Sequence, residues 1–291
     1  MEKLRPKKAL GQNFLTDRNV ISRIVQSAGI SAGERVMEVG PGRGAMTHML
    51  ADSGAEVLAI ELDRQLVPLL EREFAAYGNV EFLQADILQA DLREILSSRH
   101  SGKWKVAANL PYNISSQVLI KFLDNRELFS RLVLMLQREV GERLVAPHDC
   151  KEYGILTVYL RLHYDIYREF IVKPGSFHPV PKVDSVVLRL EPLHSPRVDV
   201  GDEAFFRGVV RAAFAQRRKT LWNCLRAAAL AADEKSLREA LACCGIDGGR
   251  RGESLTLDEF ASLSRALYKV FRLKVDFLKL HAVPCTLIPE P

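Results

Sequence analysis

The run Asn109-Leu110-Pro111-Tyr112 brings together a carboxamide, a stiffened turn and an aromatic ring, a set suited to holding a planar aromatic amine. Such an amine is a poor nucleophile because its lone pair is delocalised into the ring, so activation asks for acceptors and geometry more than for a base. The Asn109 carboxamide oxygen and the Leu110 backbone carbonyl can each accept an N–H, turning the lone pair out of conjugation and toward an electrophile. Pro111 fixes the backbone of the turn, and Tyr112 offers a face on which a base can stack. The bland alternative is a plain strand-to-helix turn, and the neighbourhood of the motif argues against it.

That neighbourhood includes Glu38-Val39-Gly40-Pro41-Gly42-Arg43-Gly44. Glycines at a strand-to-helix turn let the backbone approach a ligand where any Cβ would intrude. Their spacing is G-x-G-x-G, not the G-x-G-x-x-G of the dinucleotide fingerprint, and an acid stands two positions before them. Glu61 follows the loop by about twenty residues, where doubly wound folds place an acid on ribose hydroxyls, and Asp86 follows the third strand. Each acid alone reads as a solvated strand end; three successive strands ending in a glycine or an acid read as a ligand crevice. An adenosine-bearing molecule fits, and these residues leave S-adenosylmethionine and a nicotinamide dinucleotide both open. Asn-Leu-Pro-Tyr decides for the first, because in-line attack on a sulfonium methyl needs no metal and the alkylated, cationic amine sheds its proton afterwards.

To bring these residues together the chain must supply a parallel sheet. Short apolar runs at 35–39, 57–60, 80–83, 105–108 and 132–136 alternate with segments of helical period, the pattern of an α/β sheet with both faces covered. Two further strands are expected at 170–172 and 183–190, the second alternating like a less buried antiparallel partner. Residues 192–201 break both helix and strand. The expected division is therefore 1–192 for the α/β domain and 202–267 for a small helical bundle. The tail 268–291 alternates like an edge strand and carries no assigned role.

Composition sets the outer bounds. The chain has 291 residues, 47% hydrophobic and 26% charged, with a net charge of +5; these values speak against disorder, and no apolar run approaches the ~20 residues of a membrane span. The mild cationic excess permits a polyanionic partner without requiring one. Five cysteines, odd in number and without C-x-x-C spacing, read as reduced thiols of a cytoplasmic protein. The basic start lacks the apolar segment of a signal peptide.

Several motifs in order make the chain resemble one family. Gln12-Asn13-Phe14-Leu15, the loop Glu38 to Gly44, Asn109 to Ser116, Gly175-Ser176-Phe177-His178-Pro179-Val180-Pro181-Lys182-Val183-Asp184-Ser185 and Gln216-Arg217-Arg218-Lys219-Thr220-Leu221 are similar to those of the KsgA-type ribosomal RNA adenine dimethyltransferases. The resemblance implies a Rossmann-like methyltransferase domain with a small all-α C-terminal domain, S-adenosylmethionine as methyl donor, and dimethylation at N6 of two adjacent adenines near the 3′ end of small-subunit rRNA, within an immature small subunit. By the same resemblance Asn13, Leu15, Gly40, Glu61, Asp86 and Asn109 line the cofactor site, and Asn109, Leu110, Pro111, Tyr112 and Phe177 form the catalytic site around the adenine. The tail past Tyr268 is extra to the family pattern. Erm-type large-subunit rRNA methyltransferases share the N-terminal motifs; the Phe-His-Pro-Val-Pro and Gln-Arg-Arg-Lys-Thr-Leu runs favour the small-subunit target.

Two expectations concern contacts to RNA. Phe177 lies among turn-forming residues and is expected on a surface loop, as a second stacking face opposite Tyr112. Arg207, Arg211, Arg217, Arg218 and Lys219 lie in a stretch of helical period with no acid from Phe205 to Leu230, and are expected to form an unpaired cationic face for rRNA phosphates. Lys3, Arg5, Lys7 and Lys8 are the reserve docking surface. His178 has no carboxylate or thiolate at ligand spacing, so no metal is assigned. Trp104 and Trp222 read as packing residues. The chain is expected to act as a monomer away from membranes. The competing readings are an assembly factor acting chiefly by binding and, disfavoured by the glycine spacing, a nicotinamide-dependent oxidoreductase.

Overall fold

The computed structural model describes residues 11–228, 230–231 and 233–281, of which 271–281 are described as backbone only. The basic residues Lys3, Arg5, Lys7 and Lys8 lie outside the described residues. The chain forms two compact units. Among the described residues, the first holds 11–145 and 163–195; the second holds 146–162 and those from 196 onward.

The first unit is built on a seven-stranded sheet. In chain order its strands are β2 (Arg35–Val39), β3 (Glu56–Glu61), β4 (Val80–Gln84), β5 (Trp104–Asn109), β6 (Phe129–Gln137), β7 (Tyr164–Val172) and β9 (Ser185–Pro192). They lie in the order β4-β3-β2-β5-β6-β9-β7. The first five are parallel; β9 runs antiparallel to both β6 and β7. Val36 and Met37, neighbours that point to opposite faces, are both fully buried, so both faces of the sheet are covered, as a parallel sheet requires. A two-stranded ribbon pairs β1 (Phe14–Leu15) with β8 (Phe177–His178).

Helix α1 (Arg18–Ala28) is capped by Asp17, whose carboxylate accepts the Asn19 and Val20 N–H groups, and it stops at Gly29 in the left-handed conformation. With α2 (Ala45–Asp52) it supplies Ile21, Ile24, Met46 and Leu50 to a core cluster shared with Val36, Val57 and Ala107 of the sheet. The remaining helices of this unit are α3 (Val67–Glu73), α4 (Leu92–Ser97), α5 (Ser115–Asp124) and α6 (Arg138–Val145).

The second unit is helical: α7 (Ile155–His163, all but its last residue), α8 (Glu203–Phe214), α9 (Leu221–Ala227), α10 (Glu234–Cys243) and α11 (Leu257–His281). Asp202, Thr220 and Asp233 cap α8, α9 and α10 with side-chain oxygens on backbone N–H groups. The linear division at 192–201 assigned 146–162 to the α/β domain; instead Tyr153 packs its ring against Phe214, and the Tyr159 hydroxyl donates to the Arg207 carbonyl at 2.7 Å. The tail also departs from expectation. Residues 268–281 continue α11 and form no strand. No glycine or proline interrupts 257–281, and an established helix gains one hydrogen bond for each residue it adds. Residues 282–291 lie outside the described part.

Candidate active site

The order of the strands places the chemistry. From β2 the chain winds outward through β3 and β4, then returns to β5 on the other side of β2, so the order reverses between β2 and β5, where doubly wound sheets open a crevice at their carboxyl ends. Val39 pairs with Ala108 on one side and with Ile60 on the other. Gly40, Glu61 and Asn109 therefore leave three neighbouring strands at the same level. They line one cavity of about 370 Å³, together with Asn13, Leu15, Asp86, Leu110, Pro111 and Tyr112.

The glycine loop has the geometry of a ligand cradle. Gly40, Gly42 and Gly44 all hold positive φ, at 69°, 58° and 77°. A Cβ on Gly42 would lie 2.7 Å from the Phe14 ring and one on Gly44 2.7 Å from the Phe74 ring, so these two glycines permit close packing. A Cβ on Gly40 would meet no protein atom within 4 Å; it would point into space the chain leaves open. That open wall, with the acids beside it, fits an adenosine-bearing cofactor.

Two carboxyl groups sit under the loop. Glu61 is 6% exposed and accepts the Gly42 N–H at 3.3 Å and the Asp63 N–H at 2.8 Å. Burial raises its pKa, and these backbone donors oppose the rise. Glu38 is 1% exposed and accepts the Thr47 hydroxyl at 2.6 Å. Burial, with a lesser push from Glu61, moves it up to about 8. Near neutrality Glu38 thus keeps its proton. The Asp86 carboxylate closes a turn by accepting the Leu88 N–H at 2.9 Å.

At the end of β5 the turn is tightly determined. Leu110 N–H donates to Met135 O (3.1 Å), Ile114 N–H to Pro111 O (3.2 Å) and Ser115 Oγ to Tyr112 O (3.2 Å). The Leu110 carbonyl takes no part in these bonds. Asn109 Nδ2 donates to the Asn13 carbonyl at 3.0 Å, which fixes the amide so that Oδ1 is its outward acceptor. The Tyr112 hydroxyl lies 2.7 Å from Ser185 Oγ, and burial raises its pKa. This bond anchors the ring by its far end, leaving its faces as the surfaces it can offer a ligand.

Phe177 corrects the expectation of an exposed ring. It is 2% exposed, packs in the cluster that holds Leu15 and Val187, and does not line the cavity. Its surroundings are turn-rich, but pairing with Leu15 in the β1–β8 ribbon carries the ring inward. From there it fixes the strand that forms one rim of the cavity.

The cationic series in the second unit also divides. Arg207 pairs with Glu203 at 2.9 Å, one turn earlier and just outside the acid-free stretch. Arg217 pairs with Glu253 at 3.1 Å and donates to the carbonyls of Lys151 (2.6 Å) and Tyr153 (3.1 Å). These two are not the unpaired cations expected of them. Arg211, Arg218 and Lys219 are exposed and have no carboxylate at ion-pair distance among the described residues. Nor do residues 215–219 continue the helix: α8 stops at Phe214, and Thr220 caps α9, so Arg217, Arg218 and Lys219 occupy the turn between them.

Sequence reasoning overlooked the Asn13 carbonyl that orients Asn109, the Ser185 hydroxyl on Tyr112, and the buried state of Glu38. Ser185 was within reach, since it closes the Phe177 to Ser185 run. The Asn13 bond spans 96 positions and left no local signal. Among the described residues no helix is long and apolar enough to cross a membrane.

Comparison with known proteins agrees with this geometry. Residues 3–267 match the ribosomal RNA adenine dimethylase family. The chain is 60% identical over 264 residues to ribosomal RNA small subunit methyltransferase A of Geobacter sulfurreducens, covering 91% of this chain and 96% of that one. It is 41% identical to the protein of the same name from Clostridium acetobutylicum, over 90% and 94% of the two chains. Among solved structures, a dimethyladenosine transferase from Plasmodium falciparum superposes with a TM-score of 0.76 at 25% identity, over 88% of this chain and 98% of the other. The 23S rRNA methyltransferase ErmE gives 0.66 at 25% identity, over 88% and 100%. A glycine cradle after the central strand, an acid ending its neighbour on one side and a carboxamide turn ending its neighbour on the other, found in a chain matched over nine-tenths of its length, place it in the ribosomal RNA adenine dimethylase family of S-adenosylmethionine-dependent methyltransferases.

Proposed function

We propose that this enzyme dimethylates N6 of two adjacent adenines near the 3′ end of small-subunit ribosomal RNA, acting as a monomer in the cytoplasm on an immature small subunit. The observation that carries the reading is Asn109: its amide is oriented by the Asn13 carbonyl and lines the same cavity as Gly40 and Glu61. The identity to relatives named for the small subunit favours that target over the large one.

Gly40, Glu61, Asp86, Asn13 and Leu15 would hold S-adenosylmethionine, which when bound supplies an electrophilic sulfonium methyl. Asn109 Oδ1 and the Leu110 carbonyl accept the two N6 hydrogens, so that the amine lone pair leaves conjugation and points along the line of attack. Tyr112 holds the base by stacking. With the donor held by those residues, the N6 lone pair would be aimed at its methyl carbon, and the alkylated, cationic amine would give its proton to solvent. One methyl already on N6 leaves one hydrogen and one acceptor bond, enough to orient the second transfer.

The test is incubation with labelled S-adenosylmethionine and small subunits lacking the modification, followed by mapping of the labelled nucleotide. Label on the two adenines is expected; label on large-subunit RNA would overturn the target. The assembly-factor reading is separated by Glu61→Ala, which should abolish transfer and leave binding to the small subunit intact.

A further inference from the structure

The two tryptophans, grouped as packing residues on sequence, have different surroundings. Trp104 is 3% exposed within β5. Trp222, near the start of α9, is only half-buried and borders a cleft of about 490 Å³ with Arg238, Leu241, Ile246, Asp247 and Gly248. The Arg238 guanidinium lies over the indole, 4.6 Å from the ring centroid. Its side chain is 70% exposed and stands as far as 3.9 Å from its carboxylate partner Glu234, so it is not locked in place.

The opposite wall is backbone fixed to the same helix. Trp222 N–H donates to the Gly248 carbonyl at 3.0 Å and Leu221 N–H to the Arg250 carbonyl at 2.7 Å. A Cβ on Gly248 would lie 3.3 Å from Trp222 Cβ and 3.4 Å from Leu241 Cδ1, so glycine keeps the cleft open. Asp247 stands exposed at its edge; Oδ1 accepts the Gly249 N–H at 2.8 Å, and Oδ2 remains as an acceptor. Arg218 and Lys219, the exposed cations of the preceding turn, come directly before Thr220, which also lines the cleft.

We propose that this cleft docks one unstacked nucleobase of ribosomal RNA, stacked on Trp222 beside the Arg238 guanidinium, with Asp247 accepting an exocyclic amino group and Arg218 and Lys219 meeting the adjoining phosphates. Flat aromatic and guanidinium faces next to mobile cations are the means by which proteins hold single-stranded RNA. An apolar peptide would leave the cations unused, and a bare phosphate would leave the indole unused. The inference rests on the ribosomal RNA reading above and adds a contact in the helical unit.

The test uses the full chain and short oligoadenylate. Oligoadenylate should quench the intrinsic fluorescence, and Trp222→Phe should abolish the quench while affinity stays within a few fold. Trp222→Ala should weaken binding about 5- to 150-fold, the equivalent of about 1 to 3 kcal/mol for one stacked base. Oligouridylate, which has no exocyclic amine, should bind less well, and Asp247→Ala should narrow that gap. A quench that persists in Trp222→Phe, or unchanged affinity in a Trp222→Ala protein with a normal thermal melt, overturns the proposal. Methyl transfer to small subunits by the wild type keeps the two readings apart: transfer with an indifferent Trp222 sinks the cleft alone. A wild type that neither binds oligoadenylate nor transfers methyl sinks both.

Discussion

The cavity at the carboxyl ends of β2, β3 and β5 and the cationic turn between α8 and α9 are both assigned to recognition, and they are built in opposite ways. In the cavity the polar groups are held by short, fixed partners: Glu61 by two backbone N–H groups, Asn109 by the Asn13 carbonyl, Leu110 by Met135, Glu38 by the Thr47 hydroxyl and Tyr112 by Ser185. At the turn, Arg218 and Lys219 are exposed long side chains. A reacting amine must be placed within a fraction of an ångström, so its holders are short and fixed by hydrogen bonds. A phosphate backbone is met by charge at longer range, and mobile cations suffice. Arg217 belongs with the first kind despite its place in the second, because its guanidinium serves two carbonyls and Glu253.

The largest effect that would sharpen this contrast is expected at Glu61. Glu61→Ala should eliminate detectable S-adenosylmethionine binding by calorimetry, with small-subunit affinity unchanged; equal loss of both would show that the cavity and the RNA surface are one device. Next is Tyr112. Tyr112→Ala should cost about 1 to 3 kcal/mol in capture of the adenine by loss of stacking, read as a rise in KM for small subunits. Tyr112→Phe should keep the stacking face and instead cost about 1 to 3 kcal/mol in stability, because the fully buried Ser185 hydroxyl loses its partner. A Phe variant of normal stability and no activity would replace stacking with proton chemistry at the phenol.

Smaller effects are expected at the turn. Replacing Arg218 and Lys219 with Gln should flatten the salt dependence of small-subunit binding by roughly 0.7 to 0.9 log units per lost phosphate contact. Arg217→Gln should lower the thermal midpoint with little change in that slope. The reverse pattern would make Arg217 the RNA contact. A separate test, on stability and not on binding, is pH. Glu38 has a folded pKa of about 8 against 4.5 when unfolded, so between these values the folded state binds more protons and stability falls as pH rises through the window. Glu38→Gln should remove most of the decline between pH values of about 5 and 8 in thermal melts; an unaltered decline would assign it to another group.

How much of this was legible in the sequence follows the same contrast. The five parallel strands lie where apolar runs predicted them, β2 to the residue; the runs are short and broken by residues such as Glu38 and Glu81, but their alternation with segments of helical period marks them. The motifs Gly40 to Gly44 and Asn109 to Tyr112 were legible since local turns carry local signatures. Phe177 was misjudged because its turn-rich neighbours speak for the backbone, whereas its burial is decided by Leu15, 162 positions earlier in the chain. Arg207 and Arg217 were misread for two different reasons. One acid lay just outside the window considered and the other, Glu253, is distant in sequence. The segment 268–281 was ambiguous because its alternating apolar residues also satisfy helical spacing.

The central claim is that one cavity divides its labour, with the glycine loop and Glu61 holding the methyl donor and Asn109 orienting the amine. Asn109→Ala measured side by side with the wild type, for S-adenosylmethionine affinity by calorimetry and for single-turnover methyl transfer to unmodified small subunits, tests this directly. The account predicts affinity within a few fold of wild type and a transfer rate lower by about 3 kcal/mol of barrier, the scale of one lost positioned hydrogen bond. Unchanged transfer, or a loss accounted for wholly by weaker cofactor binding, would contradict it.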